Sequence, residues 1–341
     1  MWLTFTFAIC LGVVMLYAPG YLVGRAVSLE RFASVAVAPA FSVVALVILG
    51  VILNAAHVRC DGWMLLLACA ALCLLIYGAC RVLCGLRGVD GRTHLTRNAV
   101  DSEWILVALY VGVAAAVSLV VFVHAMGDPV SFSRNDDTTV HLSVVRGFLD
   151  SGTFSTLNVT KYLDLGESGG YYPAAWHVVT AVVASLVGNQ VALATNAMIL
   201  VVCVFVLPVG LLFLLRQLFP DNKLALYAGS LFSVAFCGYP WGFVVFGQLL
   251  SNLLSFALIP GALGLLISSL NASGPSKSGF AVAYACSMIS VALAQPNGAF
   301  TLGIWSVAFA VSHLWSKRSD GYWSGKRTAI ILCFIACAAW V

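Results

Sequence analysis

The stretch Asn135-Asp136-Asp137-Thr138-Thr139-Val140-His141 sets two adjacent carboxylates about one helical turn ahead of an imidazole. Side chains of these types, so spaced, can hold a divalent cation or take the proton from a hydroxyl. They also have a plainer use. From Thr138 to Asp150 the chain reads as a helix, with Val140, Val144, Val145 and Phe148 apolar at three-to-four spacing and Gly152 to close it. Asp136 or Asp137 then caps that helix and the other favours its dipole. A loop-to-helix junction holds side chains well, so capping and chemistry are compatible.

Further candidates lie downstream. Tyr171-Tyr172-Pro173 is followed by Trp176-His177, and Gly238-Tyr239-Pro240-Trp241-Gly242 by Gln248. Tyrosine and tryptophan settle in the headgroup layer of a membrane; the same rings make a platform for a sugar or a lipid headgroup. His141 and His177 each read alone as hydrogen-bonding residues, and gain interest from their aromatic neighbours. Arg146, basic and on the same helix as His141, can pair with a phosphate or with Asp150. Gln295-Pro296 reads as a proline break between two apolar runs, its amide serving freed backbone groups. Asn158-Val159-Thr160 matches a glycosylation sequon, which has meaning only in a eukaryotic secretory setting.

The elements that must position these residues are apolar helices. The chain is 62% apolar and 9% charged over 341 residues, with a mean hydropathy of +1.01. A soluble domain carries about 25% charge, so that class is excluded. Apolar runs recur at about the twenty residues that a helix needs to cross the hydrocarbon. Spans are expected at 2–23, 34–55, 63–84, 104–125, 191–215, 224–240, 248–270, 280–296 and 298–315. Another opens at Thr328 and is still apolar at Val341, so the chain reads as the N-terminal part of something longer. The first run has no basic lead and no cleavage site, and reads as a retained span. Of the eleven cysteines, Cys69/Cys73, Cys80/Cys84 and Cys333/Cys337 fall four apart on apolar helices, where small buried hydrophobes are expected.

Basic residues orient the spans. Arg25, Arg31, Arg81, Arg87, Arg92, Arg97, Arg216, Lys223, Lys277, Lys317, Arg318, Lys326 and Arg327 share one side only if 173–188 does not cross. The positive-inside rule makes that side the cytoplasm. Segment 173–188 is then a juxtamembrane or re-entrant helix, and 126–190 lies outside with the turns at Tyr239-Pro240 and Gln295-Pro296. All thirteen acidic residues and all seventeen Lys/Arg fall in loops or at span ends. Ion-coupled transporters keep ionisable groups at the midplane, so that class is disfavoured. No HExxH motif points to a protease, and the scattered basic residues form no nucleic-acid-binding stripe.

Asn135-Asp136-Asp137-Thr138 with His141, running into Arg146-Gly147-Phe148-Leu149-Asp150-Ser151-Gly152 and then Tyr172-Pro173 with Trp176-His177, resembles the first outer loop of GT-C fold glycosyltransferases. That superfamily includes protein O-mannosyltransferases, the oligosaccharyltransferase catalytic subunit and the lipid A aminoarabinose transferase. The likeness is nearest to bacterial, often actinobacterial, members and runs from about Trp104 to Trp315. It implies a polyprenyl-phosphate sugar donor, an extracytoplasmic glycan, lipid or protein acceptor, and a bacterial plasma membrane. Carried over, Asp136 is the base and Asp137 a metal ligand or second carboxylate, with the roles exchangeable. His141, Tyr172, Trp176 and His177 line the donor site. The cation, where one is used, is Mg or Mn. Gln295 departs from the histidine expected before that proline, and no acidic residue follows Glu167 in the outer turns.

The expectation is therefore an all-α polytopic GT-C-like enzyme of about ten spans, with a long first outer loop containing juxtamembrane helices. Residues 1–103 form N-terminal helices and a cytoplasmic loop, 104–315 the transferase module, and 316–341 a loop and the start of a last span. Its site draws on Asp136, Asp137 and His141 for chemistry, and on Arg146, Tyr171, Tyr172, Trp176, His177, Tyr239, Trp241, Gln248 and Gln295 for binding. The alternative is a translocator, binding protein or scaffold for lipid-linked glycans, using the same aromatic surface without the carboxylates.

Overall fold

A computed structural model describes residues 1–86, 100–133, 136–163 and 170–318. Asn135, Glu167, the side chain of Asp136 and the run opening at Thr328 lie outside the described residues. In chain order the helices are α1 (Trp2–Ala26), α2 (Arg31–Ala55), α3 (Gly62–Leu86), α4 (Val100–Ser118), α5 (His124–Met126), α6 (Asp136–Ser151), α7 (Val159–Tyr162) and α8 (Ala175–Leu186). There follow α9 (Val191–Val201), α10 (Leu207–Leu218), α11 (Lys223–Phe232), α12 (Phe243–Val245), α13 (Leu250–Asn271), α14 (Gly274–Ala294) and α15 (Pro296–Arg318). Short π-helical turns, Leu119–Val123 and Val202–Val206, join α4 to α5 and α9 to α10. No strand occurs among the described residues.

Nine helical stretches among the described residues are long and apolar enough to cross a membrane. Each lies where hydropathy predicts a span, to within a turn or so at either end. The protein is an all-α polytopic membrane protein. Lipid offers no hydrogen bonds, so each span must satisfy its backbone internally. Leu67, Leu75, Val120, Leu224, Val307 and Leu314 point outward from the bundle, as a hydrocarbon surround requires. Small residues let α1 and α2 pack closely: a Cβ on Gly20 would meet the Ala38 carbonyl oxygen at 1.9 Å, so only glycine fits there.

The turns sort onto two ends of the bundle. At one end Cys60 N–H donates to the Gly152 carbonyl at 2.9 Å, and Asn158 Nδ2 donates to Asn54 Oδ1 at 2.8 Å. Asn196 of α9, buried, donates to the carbonyls of Pro129 and Ser131 at 2.9 and 2.7 Å. It thereby ties down the chain that leads into α6. At the opposite end Arg216 bonds Glu103 and its guanidinium lies 5.2 Å over the Phe32 ring. That second end carries Arg25, Arg31, Arg81, Arg216, Lys223 and Lys277.

Helix α8 has twelve residues, about 18 Å of length, too short to cross. Both of its ends lie at the first end of the bundle. Just before it, Tyr172 N–H donates to the Thr156 carbonyl at 3.0 Å. Towards its close, Ser185 packs against Gly62 at the start of α3. Residues Ala175 to Ala184 are all buried, because α1, α2, α3, α6, α9, α13 and α14 enclose them.

The span expected as a continuous helix over 224–240 is broken. Helix α11 stops at Phe232, and Phe236 (ψ 131°) and Tyr239 (φ −141°, ψ 132°) are extended before the chain coils again into α12. Proline disfavours helical backbone in the residue before it and supplies no N–H, which accounts for Tyr239. Gln295, before Pro296, is extended for the same reason (φ −165°, ψ 130°), and separates α14 from α15.

Candidate functional site

Helix α6 is fastened by its apolar face: Val144, Val145 and Phe148 are buried. That rotation turns Thr138 and His141 inward and leaves Asp137 at the exposed N-terminal turn. Thr138 donates from Oγ1 to Gln248 Oε1 at 2.8 Å. Gln248 belongs to the tight turn before α13, in which Gly247 (φ +81°) and Gln248 (φ +49°) are both left-handed. A Cβ on Gly247 would lie 3.1 Å from Asp137 Oδ2. Glycine therefore serves both the turn and the close approach of the carboxylate.

His141 Nδ1 lies 2.7 Å from His177 Nε2. The rings sit 4.9 Å apart between centroids, and the Tyr172 ring stands edge-on to His177 at 5.6 Å. His141 is 7% exposed and His177 fully buried. Burial disfavours the imidazolium. It lowers His141 to about 4, against the opposing pull of the Asp137 carboxylate and of a hydrogen bond to the Gln248 main chain. His177 falls well below its ordinary value through burial and then through His141, with the Ala174 main chain acting in the other direction. Both rings are neutral at pH 7. The Tyr172 phenol is raised by burial and then by Asp137. One exposed carboxylate thus stands over a buried neutral imidazole pair, on a frame of α6, α8 and the turn before α13.

Of the residues singled out in the sequence, the structure brings Asp137, His141, Tyr172, His177 and Gln248 together. Arg146 points to solvent and pairs with Asp150 at 3.9 Å. Trp176 is core, fully buried. Tyr239 gives its hydroxyl to the Leu253 carbonyl at 2.9 Å, and Trp241 its Nε1 to the Val234 carbonyl at 2.7 Å. These two rings brace the broken span. Tyr171, beside Tyr172, is exposed. The Gln295 carbonyl accepts from Ser255 Oγ at 3.2 Å, seven residues along from Gln248 and so about 10 Å deeper. Sequence reasoning passed over Thr138, Gly247 and Asn196. A lone amide inside the apolar run from Val191 was the available signal for the last.

A model of the family described as "Family of unknown function (DUF6541)" matches residues 13–341. The chain belongs to that family. No curated protein and no solved structure matches it.

The resemblance to GT-C enzymes raises the question of a divalent cation in this DUF6541 chain. Mg and Mn favour clustered oxygen ligands. Among the described residues no group of three or more His, Cys, Asp or Glu side chains could hold a metal ion. The two facing ring nitrogens bond each other, which takes them out of any ligand set. The described donors do not fit such a cation.

Proposed function

We propose that this membrane protein is a glycosyltransferase that moves a sugar from a polyprenyl-phosphate donor to an acceptor hydroxyl outside the cytoplasm. The observation that carries the reading is the exposed Asp137 carboxylate set over the buried His141–His177 pair. Further support is that Arg25, Arg31, Arg81, Arg216, Lys223 and Lys277 gather at the end of the bundle remote from Asp137, against Arg59, Arg146 and Lys161 at its own end. The likeness of the Asp-Asp, Tyr-Pro and Trp-His motifs to GT-C outer loops gives the reaction class.

In this reaction Asp137 accepts the proton of the acceptor hydroxyl as that oxygen attacks the anomeric carbon. The bond from that carbon to the phosphate oxygen breaks, and its electron pair leaves with the lipid phosphate. Phosphate is already a competent leaving group, so positioning and a base supply most of what is needed. The base is assigned to Asp137, the described carboxylate whose charge acts on His141 and Tyr172; the Asp136 side chain lies outside the described residues. Tyr172 and Gln248 border the place where the acceptor hydroxyl would sit.

The test is a screen of the purified chain in liposomes with labelled polyprenyl-phosphate sugars and simple hydroxyl acceptors. Release of free polyprenyl phosphate with sugar on the acceptor supports transfer. Movement of the intact donor across the bilayer without cleavage would replace this reading with translocation.

A further inference from the structure

Four ring nitrogens compete for protons in the His141–His177 pair. The 2.7 Å contact between Nδ1 of His141 and Nε2 of His177 needs one proton between them. The Gln248 main chain favours a proton on the His141 ring. The remaining nitrogen of His177, Nδ1, is buried without a hydrogen-bond partner among the described residues, although the Ala174 main chain favours charge on that ring. The shared contact and the two outer nitrogens offer three places for a proton, and two neutral imidazoles carry only two. Whichever tautomers are present, one end of the pair keeps an open lone pair. A buried polar atom left so is costly and calls for an explanation.

The pair thus has room for one added proton, and a second has nowhere to go, because the facing nitrogens would then both carry hydrogens at 2.7 Å. We propose that His141 and His177 act as a one-proton store behind Asp137. The inference rests on the transfer reaction proposed above. During transfer the bound substrates cover Asp137 and cut it off from bulk water. The Asp137 O–H bond then breaks as an N–H bond forms at the outward nitrogen of His141, and the carboxylate is restored. The added charge is shared over two rings through their common hydrogen bond. When product leaves, the proton returns through Asp137 to water, and the pair is again neutral.

The surroundings suit this role. Among the described residues, Asp137, one turn from His141 on the same helix, is the ionisable side chain whose charge favours the protonated pair. Between the two rings the effect is adverse, since charge on His141 disfavours charge on His177. That repulsion stops uptake at one proton. His141, lowered to about 4, is a weak base and gives the added proton up again at neutral pH.

The direct experiment is nitrogen NMR of 15N-histidine-labelled full chain in lipid nanodiscs, followed from pH 7 to 3, with His141→Gln and His177→Gln to assign the signals. The expected result is one proton for the two rings, with both sets of signals moving at a common midpoint. Independent midpoints, or uptake of two protons in that range, would overturn the store; the wild-type spectrum alone decides this if a variant does not fold. A second arm reads sugar transfer. His177→Gln, which removes the inner ring but no group that meets substrate, should lower kcat about tenfold or more with the donor KM unchanged. It should also displace the acidic limb of the kcat profile. An unchanged rate and profile would count against the store. If Asp137→Asn transfers sugar normally while the rings still share one proton, the transferase mechanism fails and the coupled pair stands.

Discussion

His141 and His177 come from different helices, 36 residues apart in the chain, and meet nitrogen to nitrogen at 2.7 Å. Neither ring is in place without the other elements. Helix α6 must be turned by Val144 and Phe148, α8 must be enclosed by the bundle, and Gln248 must close the site from the turn before α13. The pair records the correct assembly of three segments, and its protonation should report on their stability.

Acidification should destabilise the protein through this pair. Burial holds His141 at about 4 when folded, against 6.5 for an exposed ring. Between those values the unfolded chain binds more protons than the folded one, so stability rises with pH across the window. The contribution is complete above about pH 6.5 and lost as pH falls towards 4; its size for His141 is roughly 3 kcal/mol. Thermal unfolding in detergent at pH 7, 5.5 and 4.5 should show a falling Tm in wild type and a flatter series in His141→Gln. Parallel series would contradict the assignment.

Gly247→Ala should harm function more than stability. Forcing alanine to φ +81° costs about 1 kcal/mol or more. The new methyl would also press on Asp137 Oδ2 from 3.1 Å. A modest drop in Tm with a tenfold or greater loss of sugar transfer is expected, on the order of what a misplaced reacting group costs. A variant that loses stability but keeps its rate would mean that Asp137 tolerates displacement.

Arg146→Ala should change little. The Arg146–Asp150 pair is 55% and 69% exposed at the side chains, with 3.9 Å between charged atoms. Exposed pairs of this kind contribute about 0–1 kcal/mol. Transfer kinetics should stay within about twofold of wild type. A large rise in donor KM would return Arg146 to the role of phosphate ligand that its sequence position also allowed.

Orientation is open to labelling. In a background with Cys10 and Cys237, the exposed cysteines among the described residues, and also Cys84, Cys333 and Cys337 replaced, Leu157→Cys should react with an impermeant maleimide on intact cells. Lys277→Cys, at the opposite end, should react only after the membrane is opened. Reaction of both from one side would contradict the two-ended arrangement of loops.

Much of this architecture is legible in the sequence because the bilayer leaves few choices. Twenty apolar residues must become a helix, and Gly152 and Pro296 mark where helices stop, whereas α11 already ends at Phe232, well ahead of Pro240. The short run after Pro173 could be told from a span by its length and by the basic residues beyond it. Side-chain roles were harder to read, because residue type does not show where a polar atom finds its partner. Tyr239 and Trp241 have the composition of a sugar platform, yet both give their donors to nearby carbonyls. Arg146 falls on the outer face of α6 through a rotation set by Val144 and Phe148. The contact between His141 and His177 depends on how α8 lies across the bundle, which no local pattern encodes.

The central claim is that Asp137 takes the acceptor proton. The most direct measurement is the initial rate of sugar transfer by purified wild type and Asp137→Asn in liposomes, with equal Tm and an intact histidine pair by NMR. The account predicts a fall of about 10²–10⁴ in kcat, the usual contribution of a general base. Transfer by Asp137→Asn at the wild-type rate would contradict it.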